Sequence, residues 1–233
     1  MITKLTEIEH KMPIQGRIRL GTKHPQKGYP MSLETFRFTS QHQDAITELS
    51  VLYGGDVKPW NKQWEVITEV STVPVILPLN PLGDTPQYEL WSGGGRMRTC
   101  DGETCIVPAK TPDGMELEDR PCICDKQNVL ECSVQTRLLV VLREIKFGGA
   151  WMLSSTGWNA AKELPGMVAM VQGVQGMGLT TAKLALEKRQ SKQPGQGVKN
   201  FVVPVLQPDV SLDALAQGQG SIGYYATKEL EEG

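Results

Sequence analysis

The side chains in this chain best equipped for chemistry are its five cysteines. They read Cys100-Asp-Gly-Glu-Thr-Cys105, then sixteen residues, then Cys122-Ile-Cys124, then seven more to Cys132, with none outside these thirty-three residues. Thiolates gathered this way, in a chain without secretory features, have the makings of a tetrahedral Zn²⁺ site. Five thiols exceed four coordination places. Cys132 leads straight into an apolar run and can anchor a ribbon to a sheet, and Cys122 and Cys124 are close enough to ligate together. Cys100 is preferred to Cys105 as the remaining ligand. The expectation is one structural Zn²⁺ on Cys100, Cys122, Cys124 and Cys132, with Cys105 as the alternate ligand. Four thiolates make a closed site with no open water position. The segment is poor in apolar residues, so a metal would supply folding energy it otherwise lacks. The plainer alternative is a set of reduced, loosely buried cysteines.

Other chemistry is sparse. The three histidines, His10, His24 and His42, all fall on surface-type stretches near the N-terminus. A histidine general base is therefore not expected. Gly173-Val-Gln-Gly176-Met-Gly178 has the glycine density of a phosphate loop but lacks its lysine, and reads as a connection after a helix. No serine sits in a nucleophile elbow and no carboxylate pair stands out. Trp60, in the turn Gly54-Gly55-Asp-Val-Lys-Pro59-Trp60, has two readings. It is either an exposed aromatic anchor for a partner or a packing residue folded back beside Trp64.

Composition sets the frame. With 233 residues, 39% of them hydrophobic, the chain can bury a substantial core. The net charge of −2 gives no global field for nucleic acid. Two local excesses of four positive charges stand out, between Lys4 and Arg37 and between Lys183 and Lys199. The first reads as a solvated strand face, and the second as either a hairpin with an ordinary solvated face or a contact to DNA phosphates or an acidic partner. The N-terminus has no apolar signal-peptide core, and the longest clean apolar run, Leu138 to Leu142, is too short to span a membrane. A soluble intracellular protein in a reducing compartment is the expectation.

Strand patterns position these residues. Ile14 to Leu20 and Leu33 to Thr39 alternate apolar and polar, as do the segments around Trp64, Val73 and Tyr88. Leu138-Leu-Val-Val-Leu142 reads as a central strand covered on both faces, forming a hairpin with Ala150 to Ser154. Thr180 to Arg189 and Phe201 to Leu206 complete the strands. Ser40 to Gln43 fits a capping box for a helix presenting Ala45, Leu49 and Leu52, closed by Gly54. Thr156 caps a second helix, with Trp158, Ala161, Leu164 and Val168 on one face and a kink or restart at Pro165-Gly166. Ser211 to Ala216 is at most a short helix. The fold class is α+β, a mainly antiparallel sheet with two helices and a cysteine-rich, zinc-ribbon-like insertion. The expected organisation is an N-terminal α+β part (1–99), a metal-binding insertion (100–132), the second half of the sheet with a helix (133–210), and a flexible tail (211–233).

Several stretches together resemble one family. They are Leu52-Tyr-Gly-Gly55…Pro59-Trp60, Tyr88-Glu-Leu-Trp91-Ser-Gly-Gly, Arg98-Thr-Cys-Asp-Gly102, Cys122-Ile-Cys124, Thr136-Arg-Leu138 and Trp151-Met-Leu-Ser-Ser-Thr-Gly157-Trp-Asn-Ala-Ala161-Lys-Glu-Leu164. In order and joint spacing they are similar to the recombination directionality factors that phages of actinobacteria pair with large serine integrases. The similarity runs from about residue 14 to 206. It implies a non-enzymatic regulator of DNA recombination that binds the integrase and switches it from integration to prophage excision. The integrase supplies the nucleophilic serine, and the factor redirects its coiled-coil arm so that the prophage-end sites synapse. Attachment-site DNA would then be met mainly through the integrase, in the cytoplasm of the bacterial host and away from membranes. Relatives are often described as metal-binding from their cysteines. Two rival readings remain beside this one, a phage metal-dependent hydrolase and a zinc-stabilised DNA-binding protein. A catalytic metal needs an open position with a nearby carboxylate or histidine, which separates the first rival from a closed all-thiolate site.

Overall fold

A computed structural model describes residues 12–24, 26–111, 114–124, 129–146, 148–175, 180–191 and 198–209. The proposed C-terminal tail and short helix, the link 193–197 that the sequence suggests as a turn, and His10 lie outside the described residues. Within them the chain forms thirteen strands and two helices. The strands are β1 (Ile14–Lys23), β2 (Pro30–Ser40), β3 (Lys58–Trp60), β4 (Gln63–Ile67), β5 (Thr72–Leu77), β6 (Gln87–Ser92) and β7 (Gly95–Cys100). After them come β8 (Thr104–Thr111), β9 (Gly114–Pro121), β10 (Ser133–Leu142), β11 (Ala150–Ser155), β12 (Thr180–Ser191) and β13 (Lys199–Pro208). Helix α1 spans Gln43–Tyr53 and α2 spans Trp158–Gln175.

The class is α+β with a mostly antiparallel sheet. Its main path runs β3-β4-β2-β1-β11-β10-β6-β7-β8-β9, and only β1 and β11 pair in parallel. Strand β10 is the hub. One edge forms the expected hairpin with β11, while the other pairs β6 at its start and β5 at its end. Between those two strands the Leu139 N–H donates to the Pro81 carbonyl and the Arg137 N–H to Thr85 Oγ1. Residues 74–89 thus follow β10 along nearly its whole length. Strand β5 also pairs β12, which carries β13.

Strand β10 alternates rather than being covered on both faces. Val134, Thr136, Leu138, Val140 and Leu142 are buried, while Leu139 and Val141 are only half-buried. Its inner row joins Ile18, Phe36, Phe38, Val66 and Leu153 in one core. Trp151 lies at the centre, fully buried, with its ring edge-on to Phe38 at 5.4 Å. Gly16 makes room for it, since a Cβ there would come within 2.4 Å of the Trp151 ring.

The helices differ from the sequence reading in their details. Helix α1 buries Ala45, Ile46, Leu49 and Tyr53, leaving Leu52 exposed. Its N-cap is His42 with no side-chain cap. Ser40 Oγ accepts from the His42 N–H but also donates to the Gln15 carbonyl, tying the turn to β1 instead of forming a capping box. Gly54 closes the helix at a positive φ as expected. Helix α2 continues through Pro165 to Gln175, so Gly173 is helical rather than part of a connection. Its buried row is Ala160, Leu164, Val168 and Val171, with Trp158 exposed. A continuous helix keeps its period across the proline, which carries the apolar row past Val168.

Candidate metal centre and partner-binding face

The cysteine segment does not leave the sheet. Pro108 and Pro121, poor helix residues, sit in the β8–β9 hairpin, which extends the sheet beyond β7. Cys100 ends β7 opposite Cys105 on β8, and Cys132 immediately precedes the hub strand β10. Short loop bonds hold the bend between β7 and β8. Asp101 Oδ1 accepts from the Glu103 and Thr104 N–H groups, and the Gly102 N–H points at Cys100 Sγ at 3.2 Å. The Cys122 N–H donates to the Glu103 carbonyl, bringing the second cysteine pair back to this bend.

All five cysteines are buried, reduced and packed into one cluster beside Tyr88 and Leu90. Cys100, Cys122, Cys124 and Cys132 line a common cavity of about 290 Å³, whereas Cys105 is not among its walls. Its thiol faces the Pro121 carbonyl instead, at 3.9 Å. Cys124 Sγ and Cys132 Sγ stand 3.8 Å apart. Two sulfurs on a tetrahedral Zn²⁺, each about 2.3 Å from it, are separated by about the same distance. No three His, Cys, Asp or Glu side chains among the described residues are already drawn up as a metal site. Among those described, no histidine or carboxylate lines the cavity.

Sequence reasoning missed Arg98, although its place two residues before Cys100 on one strand puts both on the same face. The Arg98 guanidinium is 9% exposed, with Nε 3.3 Å from Cys132 Sγ, and Nη2 3.4 Å from Cys124 Sγ and 2.8 Å from Glu131 Oε2. Burial pushes the Cys100 thiol up to about 11 and raises that of Cys132, while the Glu131 backbone N–H lowers that of Cys124. Uptake of a metal by such thiols releases protons.

Also missed was Glu89, which the alternation around Tyr88 sets with Trp91 on the side opposite Tyr88 and Leu90. It is 1% exposed. Arg137 grips it with both Nη atoms at 2.7 and 2.6 Å, and Gln87 and Trp91 donate at 2.9 and 2.8 Å. Burial acts to raise its pKa, but these donors outweigh burial and hold the carboxyl at about 2. The pair joins β6 to β10 close to the cysteines.

Trp60 ends the short strand β3 rather than sitting in an open turn. It is half-buried, with the guanidinium carbons of Arg37 and Arg19 at 4.5 and 4.9 Å from its ring centre. Trp64 on β4 instead packs against the core. The preceding Gly-Gly turn has a steric cause. Gly55 adopts φ +91°, and a Cβ there would come within 2.0 Å of the Ile67 carbonyl oxygen.

The two basic stretches part company. Lys183 pairs with Asp209, Lys188 with Glu34, and Arg189 with Glu163 and Glu187, so the second stretch is largely neutralised where it is described. In the first, Arg17, Arg19 and Arg37 share the solvent face of β1 and β2, and Glu65 neutralises Arg37. Among the described helices none is long and apolar enough to cross a membrane.

These features define an α+β protein on one large, mostly antiparallel sheet, with a thiol-lined cavity on its extended arm. A family model described as Gp3-like, recombination directionality factor-like, matches residues 15–209, and the chain belongs to that family. No curated protein matches the chain, and neither does any solved structure.

Proposed function

We propose that this protein is a non-enzymatic regulator that binds a large serine integrase and switches it from integration to excision. The observation that carries this reading is the family match over residues 15–209. Attachment-site DNA is met through the integrase, in the cytoplasm of the host cell. The ion pairs that occupy the cations of β12 weigh against a broad phosphate-binding face of the protein's own. A structural Zn²⁺ belongs to the same reading, held by Cys100, Cys122, Cys124 and Cys132 in a zinc-ribbon-like arm. The donor set fits such an ion. Four thiols share one cavity, and the Gly102 N–H and the Arg98 guanidinium aim at their sulfurs. The metal would tie β7 and the β8–β9 hairpin to the start of β10. A hydrolase would need a carboxylate or histidine at that cavity.

The test is co-elution with a serine integrase from the same phage, followed by excision in a reconstituted reaction. Excision should saturate near integrase-equivalent amounts of this protein. Absence of any complex, or switching of a large integrase excess by a few molecules, would overturn the reading.

A further inference from the structure

Besides the thiol cavity, the solvent face of β1, β2 and β4 forms a cleft of about 640 Å³. Trp60 closes one side, and the far end of the β1–β2 hairpin, with Lys23 and Met31, closes another. Arg17, Arg19 and Arg37 form the floor between them. The cross-strand register explains the convergence. Arg19 lies directly opposite Arg37, and Arg17 is two residues along on the same face of β1. Among the described residues Glu65 is the only carboxylate lining the cleft, and Arg37 already holds it through Nε at 2.8 Å and through Nη2. Arg19 donates to Thr39 Oγ1 at 3.2 Å, a neutral partner. Arg17 and Lys23, both exposed, have no acidic partner among the described residues. Burial, and after it the neighbouring Arg17 and Arg37 charges, lower the pKa of Arg19, with Glu65 acting in the opposite direction. Ser154 also lines the cleft, and its hydroxyl is buried without a hydrogen-bond partner.

We infer that this cleft is a docking site for an acidic, partly apolar peptide segment of a protein partner. Like-charged arginines crowded on a sheet face repel one another, and a carboxylate set among them relieves that repulsion. Arginine forks match carboxylates in pairs, and a half-buried Trp backed by guanidinium groups offers a flat apolar wall. Met31, 39% exposed at the rim, adds a second apolar contact. A peptide suits the site better than a duplex does. Three arginines converge on one pocket-sized recess in a chain of net charge −2, whereas backbone binding calls for a long run of free cations. The inference rests on the proposed role as a protein-binding regulator only for which partner supplies the segment.

The experiment uses the full chain and two fluorescent probes, a short peptide of glutamates interspersed with leucines and a DNA duplex of arbitrary sequence. Fluorescence anisotropy at about 0.1 M salt should show the peptide bound. The double variant Arg17→Glu/Lys23→Glu should weaken it by about tenfold or more, and Arg17→Gln/Lys23→Gln by less. Lys162→Glu, an exposed change of the same sign on α2, should leave it unaltered. Thermal melting checks that each variant is folded. An unbound peptide, equal weakening by Lys162→Glu, or duplex bound more tightly than peptide through the same residues would each overturn the inference. Repeating the integrase co-elution with Arg17→Glu/Lys23→Glu separates the two readings. Undiminished co-elution of that variant removes the cleft as the docking site and leaves the regulator reading standing. Failure of the wild-type chain to bind an integrase removes the latter, while the peptide still decides the cleft.

Discussion

Arg98 lies in the cysteine cluster with its Nε 3.3 Å from the sulfur of Cys132. A second nitrogen of the same guanidinium reaches Cys124. A neutral thiol is a weak acceptor, so two donors from a buried cation are poorly used on uncharged cysteines. Against thiolates they would form charge-assisted bonds and would offset the negative charge that four sulfurs bring to a bound ion. From β7, Arg98 also links the arm to Cys132, the residue immediately before β10.

If the four thiols hold Zn²⁺, elemental analysis of gently purified protein should find close to one ion per chain. A content below about 0.2 would rule the site out, because structural zinc sites bind too tightly to be emptied by purification. Cys132→Ser should lose the metal and unfold the arm. Cys105→Ser should keep it, because that thiol faces the Pro121 carbonyl outside the cavity. Equal, mild effects of the two would mean a different ligand set or none.

Arg98→Met keeps the apolar stem and removes both donors. Loss of a group that orients and neutralises metal ligands commonly lowers affinity by about 10–100-fold. Competition with a chromophoric chelator should show a drop of that order, with Arg98→Lys intermediate because it retains the charge without the fork. Unchanged zinc retention in Arg98→Met would make the guanidinium a packing element only.

Much of the framework was legible because it rests on local pattern. The period-two runs at Ile14, Leu33 and Thr180 became β1, β2 and β12, and the hairpin across Gly148-Gly149 became β10–β11. The parallel pairing of β1 with β11, and the two-partner edge of β10, bring together residues far apart in the chain and leave no local trace. Glu89 shows the same limit inside the site. Alternation sets it on the side opposite Tyr88 and Leu90, but only the assembled fold brings the side chains of Arg137, Arg96 and Trp91 over it to bury it. The cysteines were recognisable by type and spacing, and so was a preference for Cys100 over Cys105, whereas the turn of the Cys105 thiol toward the Pro121 carbonyl, away from the cavity, has no local signal in the sequence.

The Glu89–Arg137 pair sets a pH dependence. The folded carboxyl, at about 2, lies below the ordinary value of 4.5. A depressed acid contributes stability that is fully present above the unfolded value and is lost as pH falls through the folded one. The shift corresponds to about 3 kcal/mol, lost between about pH 4.5 and 2. Chemical denaturation across that range should show the loss in the wild-type chain and a flatter profile in Glu89→Gln. At neutral pH, Glu89→Gln should be the less stable protein, and Arg137→Met should cost about 3–5 kcal/mol by leaving a buried charge without its main partner. Superimposable pH profiles for wild type and Glu89→Gln would show that the pair carries no such stabilisation.

Trp60 tests whether the β3 edge belongs to the partner-binding face. Its ring stacks against Arg37 and Arg19 on the solvent side of the sheet, while Trp64 takes the place against the core. Removing the ring therefore forfeits cation–π contacts of about 0.5–1 kcal/mol each and leaves no cavity among core side chains. A core tryptophan would instead cost about 3–5 kcal/mol. Trp60→Ala should accordingly melt within a few degrees of wild type yet bind the integrase about 2 kcal/mol more weakly, as expected of an aromatic anchor in an interface. Calorimetric titration beside a thermal melt separates the two effects. A variant that melts early but binds normally while folded would return Trp60 to a packing role and move the interface elsewhere on the sheet.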